Sequence, residues 1–278
     1  RLAEIAARAI GATGVTHDAE VAKVSVVGLG MRTHTGVATT MFEALAREGV
    51  NIQMITTSEI KISVLVDQAS GVRALRALHK AFDLERPAID TPTPYAPRRR
   101  TTLASARPAT VENGASGGTS AGMEDLVISG VELDADQSRV TLFNVPDQPG
   151  VAARVFRRIA ESGVLVDMIV QNVSTAGNTH LSFTVPCQHA DEAAAAAALG
   201  EAGDVSVEPR MAKLSVTGVG IRTHTGVATR MFGALAEGGI NIALINTSEV
   251  RINVATSPER GQDGLECLRR AFLLPANS

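Results

Sequence analysis

Residues 22–66, AKVSVVGLGMRTHTGVATTMFEALAREGVNIQMITTSEIKISVLV, return without a gap as residues 212–256, AKLSVTGVGIRTHTGVATRMFGALAEGGINIALINTSEVRINVAT, with about 28 of 45 positions identical. Identity at that level marks duplication of a whole folding unit. Each copy is legible locally. Val24, Val26 and their β-branched neighbours read as a strand closed by the turn Gly28-Leu29-Gly30. After Gly36, the apolar positions Val37, Met41, Ala44 and Leu45 fall on one face of a helix that Gly49 stops. Val50 to Ile55 forms a second strand. Ile60, Ile62, Val64 and Val66 alternate as a third, half-buried one, joined to the second by a hairpin at Thr56 to Glu59. Val72 to Phe82 has helical spacing. The order strand, helix, strand, strand, helix, with a closing strand still to be supplied, is the ferredoxin-like βαββαβ pattern. The expected class is α+β, antiparallel sheets carrying helices on one face.

A weaker copy lies between the two, within residues 140–185. Gly150, Phe156, Gly163, Met168 and Ile169 stand 114 positions after Gly36, Phe42, Gly49, Met54 and Ile55. Ala190 to Ala202 supplies its second helix and Val205 to Glu208 its closing strand. Residues 1–14 read as the second helix of a preceding unit that has been cut away, so the chain is expected to be a fragment. The expected organisation is 1–14 (tail of that unit), 15–85 (a unit), 86–122 (a linker), 123–209 (the middle unit) and 210–278 (the last unit). Residues 86–122 are dominated by Pro, Ser, Thr, Gly and Ala, which anchor no core, and read as a flexible tether. The run Arg98-Arg99-Arg100 within it reads as solvated charge and is assigned no site.

Composition narrows the function. The 278 residues are 45% hydrophobic and 20% charged, with a formal charge of −3, so no basic field is available for nucleic acid or an acidic membrane surface. An RNA-binding domain with the same element order reads bases by stacking, which a 3% aromatic content does not support. Cys187 and Cys267 have neither disulfide nor zinc spacing, no membrane span or signal peptide is evident, and a cytoplasmic setting is expected. No metal site, cofactor site or catalytic group is assigned. Gly28-Leu29-Gly30 lacks the third glycine and the parallel βαβ context of a dinucleotide fingerprint. His34, His224, Glu59 and Glu249 have no partner at a spacing suited to acid–base work and read as structural or interfacial.

The candidate site is the loop before each first helix: Thr33-His34-Thr35-Gly36, Asp147-Gln148-Pro149-Gly150 and Thr223-His224-Thr225-Gly226. A helix start leaves backbone N–H groups unpaired and carries partial positive charge, so a carboxylate can dock where glycine permits close approach. The alternative is a tight turn whose polar residues, such as Asp147 and Thr35, cap the helix. Gln171 and Asn172 end the second strand of the middle copy, and their amides can donate and accept at once.

On these motifs the chain resembles the ACT units of aspartate kinases. Residues 22–66, with the turn after Gly28, the Gly36-Val37-Ala38 helix start, Asn51-Ile52 and Thr57-Ser58-Glu59-Ile60, are similar to the second ACT unit. FNVPDQPGVAARVF (143–156) and DMIVQNVS (167–174) resemble the first. The resemblance covers nearly everything except the linker. It implies side-by-side association of units and binding of an amino acid, lysine and/or threonine, at their interface, for feedback control of the kinase and of lysine, threonine and methionine formation. It implies an effector cradle of Asp147, Gly150, Val151 and Ala152, with polar contacts from Gln171 and Asn172 and with Asn241 and Ile242, and their counterparts Asn51 and Ile52, across the interface. A second site would use Gly36, Val37, Asn51 and Ile52. Thr35 and Thr225 stand where the family often has proline. The strand before the first unit, here Val127 to Leu133, can join the partner unit's sheet. The kinase domain, to which ATP and Mg would belong, is not recognised in this sequence, so the chain alone is expected to be inactive. The alternative is an ACT-type oligomerisation module, a homo-oligomer built by ACT–ACT pairing without effector binding.

Overall fold

A computed structural model describes residues 2–28, 36–58, 60–84, 127–172, 177–198, 204–221 and 223–274. The tether 86–122, Thr33 to Thr35 and Glu59 lie outside the described residues. After a short helix α1 (Leu2–Ala9), the first unit runs β1 (Val21–Val27), α2 (Val37–Arg47), β2 (Met54–Thr57), β3 (Lys61–Asp67) and α3 (Gly71–Ala81). Its alternation sorts side chains by face. Val24 opposes Val64 beneath the helices, and Ser25 opposes Ser63 on the other side. Helix α2 turns Met41, Phe42, Ala44 and Leu45 into the core, which is why its apolar residues recur at three- and four-residue steps.

The middle unit comprises β4 (Val127–Pro146), α4 (Val151–Glu161), β5 (Ile169–Gln171), β6 (Asn178–Pro186), α5 (Ala190–Ala198) and the start of β7 (Val205–Val219). The third continues along β7 into α6 (Gly226–Glu237), β8 (Leu244–Thr247), β9 (Arg251–Thr256) and α7 (Gly261–Ala271). The long strands β4 and β7 serve two units each. Val140 to Leu142 pairs with Val207 to Val205 and closes the middle unit. Val131 to Asp134 pairs with Val216 to Lys213 and gives the third unit the closing strand that its own downstream sequence had not shown. Val131 accordingly belongs to the third unit's core. Gly71 and Gly261, one repeat apart, let the second helix lie close on the first strand: a Cβ there would sit 2.8 Å from that of Ala22 and 2.6 Å from that of Ala212.

The described strands form one antiparallel sheet in the order β1-β3-β2-β5-β6-β4-β7-β9-β8. The first and middle units join through β2 and β5, Ile55 opposite Gln171 and Thr56 opposite Val170. Above this seam α2 lies against α4. The Phe42 and Phe156 rings are 5.5 Å apart, Phe183 follows at 5.6 Å, and Arg157 pairs with Glu43 at 2.6 Å. The two units therefore share one hydrophobic core, whereas the third unit has its own.

Sheet twist accumulates strand by strand, and the β4–β7 ladder is interrupted by register shifts between Ile128 and Gly130 and on either side of Gln137. The sheet curls until β8, at its far end, meets β2. Asn246 donates to the Thr57 carbonyl, Lys61 pairs with Glu249, and Lys213 pairs with Asp167. A polar layer, with Ser63, Ser215, Asn246 and Asn253 buried, thus lies on the sheet faces away from the helices.

Candidate functional site

Each helix start of the joined pair opens onto a cleft completed by the other unit. The reason is dimensional. Helix α2 has 11 residues, which at 1.5 Å per residue spans roughly 16 Å, so Gly36 at its beginning and Asn51 beyond its end cannot line one small site within a unit. Antiparallel packing of α2 on α4 brings the end of each helix beside the start of the other.

The first cleft is lined by Asp147, Gln148 and Gly150 to Ala153 of the middle unit, Phe42, Asn51 and Ile52 of the first, and Gln171, Thr179 and Leu181 beneath. It holds about 370 Å³, counting space open to solvent. Asp147 does not cap helix α4. The N-cap is Gly150, at φ 89° and without a side-chain cap, while Asp147 accepts a hydrogen bond from Asn51 Nδ2 at 2.8 Å across the seam. Gly150 takes this left-handed conformation with least strain, and its missing side chain keeps the helix start open. The amides of Ala152 and Ala153 lie in the first turn, where no helical carbonyl stands four residues back. Gln171, 5% exposed, is fixed by donation from Nε2 to the Ile52 carbonyl at 3.0 Å. A carboxylate, helix-start amides and an oriented side-chain amide therefore converge on one cleft.

The second cleft is the counterpart of the first. Gly36, Ala38 and Thr39 of the first unit face Val164 to Asp167 of the middle one, over Thr57 and Ser58 and beside Phe156 and Ile159. It holds about 570 Å³, again counting open space. Gly36 is the N-cap of α2 at φ 120°. The chemistry differs because the repeats diverged at matching positions: Leu165 stands where the first unit has Asn51, and Thr57 where the middle unit has Gln171. The described walls of the second cleft are the more apolar.

The expected site residues are regrouped accordingly. Asp147, Gly150, Val151, Ala152 and Gln171 line one cleft, and of the two equivalent pairs expected across the interface it is Asn51 and Ile52 that complete it. Asn241 and Ile242 line neither cleft. They precede β8 at the opposite end of the sheet, where Asn241 is exposed and its carbonyl accepts from Thr256 Oγ1 at 2.7 Å. The expected second set also divides: Gly36 lines the second cleft, Asn51 and Ile52 the first, and Val37 neither. Asn172 is exposed outside the first cleft, its N–H on the His180 carbonyl at 3.2 Å. Glu249, read as structural or interfacial, pairs with Lys61. Thr57, Asp167 and Thr179 were not singled out by sequence. The first two were legible in principle, since Thr57 is the repeat counterpart of Gln171 and Asp167 that of Gln53.

Comparison with known proteins identifies the repeated unit. The ACT domain family model matches residues 24–82, 143–198 and 214–272. An aspartate kinase of Pseudomonas fluorescens is 40% identical over 159 residues, covering 55% of this chain and 38% of that protein. An aspartokinase of Thermus thermophilus is 41% identical over 157 residues, covering 54% and 38%. Among solved structures, the aspartate kinase of Synechocystis superposes with a TM-score of 0.72 at 32% identity, covering 93% of this chain and 40% of that one. The ligand-free regulatory subunit of aspartate kinase from Thermus thermophilus gives 0.50 at 41% identity, covering 52% of this chain and 98% of the subunit. The chain thus spans well under half the length of the kinases it matches.

Proposed function

The chain belongs to the ACT domain family, as a regulatory region of the aspartate kinase type, and from that premise we propose that it binds a free amino acid, lysine and/or threonine, in the cleft at Asp147. The Asp147 carboxylate takes the ligand's ammonium group, and the helix-start amides of Ala152 and Ala153 take its carboxylate. Gln171 reads the polar end of the side chain. The observation that carries this reading is the hydrogen bond from Asn51 to Asp147. It sets the acidic group at the seam, so a ligand there touches both units and favours whichever arrangement of the two binds it better. Feedback restraint of a kinase domain elsewhere in the protein, which would hold ATP and Mg, follows as the biological role, and the cytoplasm as its setting.

Titration calorimetry of the folded chain against lysine, threonine and other proteinogenic amino acids tests the reading. Heat is expected from lysine or threonine and is expected to vanish in Asp147→Asn. Absence of heat from every amino acid would favour an assembly module instead. One observation supports assembly as an accompanying role: Ile245 on β8 is 48% exposed, whereas its repeat counterpart Ile55 is 1% exposed at the seam. The third unit therefore presents the same face uncovered, suited to ACT–ACT pairing in a homo-oligomer.

A further inference from the structure

All three units meet at Thr57. Its hydroxyl donates to the Asp167 carbonyl at 3.3 Å and accepts the Ile169 N–H at 2.8 Å, joining the first unit to the middle one. Its own carbonyl accepts from Asn246 of the third unit. Asp167, whose carbonyl takes the Thr57 hydroxyl, is held at its carboxylate by the third unit as well: the Lys213 ammonium, 8% exposed, pairs with Asp167 and, at 3.4 Å, with Asp134. Thr57, Asp167 and Ile169 also line the second cleft.

We propose that Lys213 and Asn246 are positioning residues for the floor of that cleft, so that the third unit, which contributes nothing to its lining, is mechanically coupled to it. The physical case rests on burial. An ammonium removed from water is stable only between its carboxylates, and a buried amide N–H only with an acceptor. Lys213 between Asp134 and Asp167, and Asn246 Nδ2 on the Thr57 carbonyl, have these partners when the third unit's polar sheet face lies on the joined pair. A shift of Asp167 or Thr57 by more than a fraction of an ångström breaks these contacts, so the seam and the third unit move together or separate. The two cores are otherwise distinct, which makes this polar layer the route of coupling, together with the strands β4 and β7.

Amide hydrogen exchange of the intact chain without ligand tests the proposal. In Lys213→Met and in Asn246→Ala, exchange at Ile169, whose N–H is bonded to Thr57, is expected to quicken about tenfold or more, while Val254 in the third unit's core keeps its rate. Lys213→Arg is expected to restore protection at Ile169. Asp167→Asn approaches the same pair from the opposite side and is expected to reproduce the effect. Unchanged protection at Ile169, or equal quickening at Ile169 and Val254, would overturn the proposal. A second arm rests on the cleft reading above: lysine or threonine at saturation is expected to alter exchange in β8 of the wild type but not of Lys213→Met. Failure of every amino acid to bind defeats that reading and leaves the ligand-free arm to decide this one.

Discussion

Gly150 shows how much of a binding site one residue can determine. At φ 89° it occupies a conformation that costs an L-residue about 1–2 kcal/mol. A Cβ there would stand 3.4 Å from Arg154 Nη1 and 3.5 Å from the Ala46 Cβ. Gly150→Asp is therefore expected to lower unfolding free energy by about that amount and, by setting a carboxylate at the helix start, to weaken amino-acid binding at least about tenfold. Denaturant melts and calorimetry on the same sample measure both. Asp134 carries a pH dependence. Burial pushes its carboxyl upward, but the Asp136 N–H, the Lys213 ammonium and the Gln137 amide outweigh this and hold it below the ordinary aspartate value. A carboxyl depressed on folding stabilises the fold above its unfolded pKa and loses that contribution as pH falls through the folded one. Asp134→Asn should consequently be less stable than wild type near neutrality, with the difference closing below the ordinary aspartate range of about 3.9. Thermal melts across pH reveal it, and a difference independent of pH would contradict it.

At the scale of elements, equivalent strands have acquired different surroundings. Strands β2 and β8 carry matching sequences, Met-Ile-Thr-Thr and Leu-Ile-Asn-Thr. Yet Ile55 is sealed by β5 and α4, and Ile245 faces outward. Ile55→Ala should cost about 2–5 kcal/mol, the range for deleting a buried aliphatic side chain, while Ile245→Ala should cost well under 1 kcal/mol in the monomer. Chemical denaturation of the two variants side by side gives the comparison. A larger loss for Ile245→Ala at high protein concentration only would identify its face as an interface between copies. The helices follow the same rule: α2 and α4 each end in a turn at a glycine of positive φ, Gly49 and Gly163, and the chain leaving one helix end forms the wall of the cleft that the other helix start begins.

For the molecule as a whole, one sheet carries two cores. The first and middle units should open together, and the third separately, in native-state hydrogen exchange. Amides of α2 and α4 are expected to share one opening free energy and those of α6 and α7 another. A single value for all four helices would mean that β4, β7 and the polar layer bind the units into one cooperative body. The sequence by itself determined the repeating unit, its strand and helix order, the amphipathic faces of its helices and the glycines at its helix starts. Those properties depend on periods of 2 and 3.6 residues and on local backbone freedom, all contained in short windows. It also pointed to Asp147 and Gln171, because divergence between copies is visible by alignment of the chain with itself, and to Gly150, because a glycine recurs at each helix start. Only the tertiary structure chose Asn51 and Ile52 over the equivalent Asn241 and Ile242 for the cleft at Asp147, put Val131 to Asp134, a strand that the resemblance allowed to join a partner sheet, in the third unit, and brought Lys213 to Asp167. Asn51 and Asn241 sit in nearly identical local sequences, so no local signal separates them. Their difference arises from which strand edge and helix face pair first within the chain, a choice made by long-range packing around Phe42 and Phe156 and by the curl of one continuous sheet.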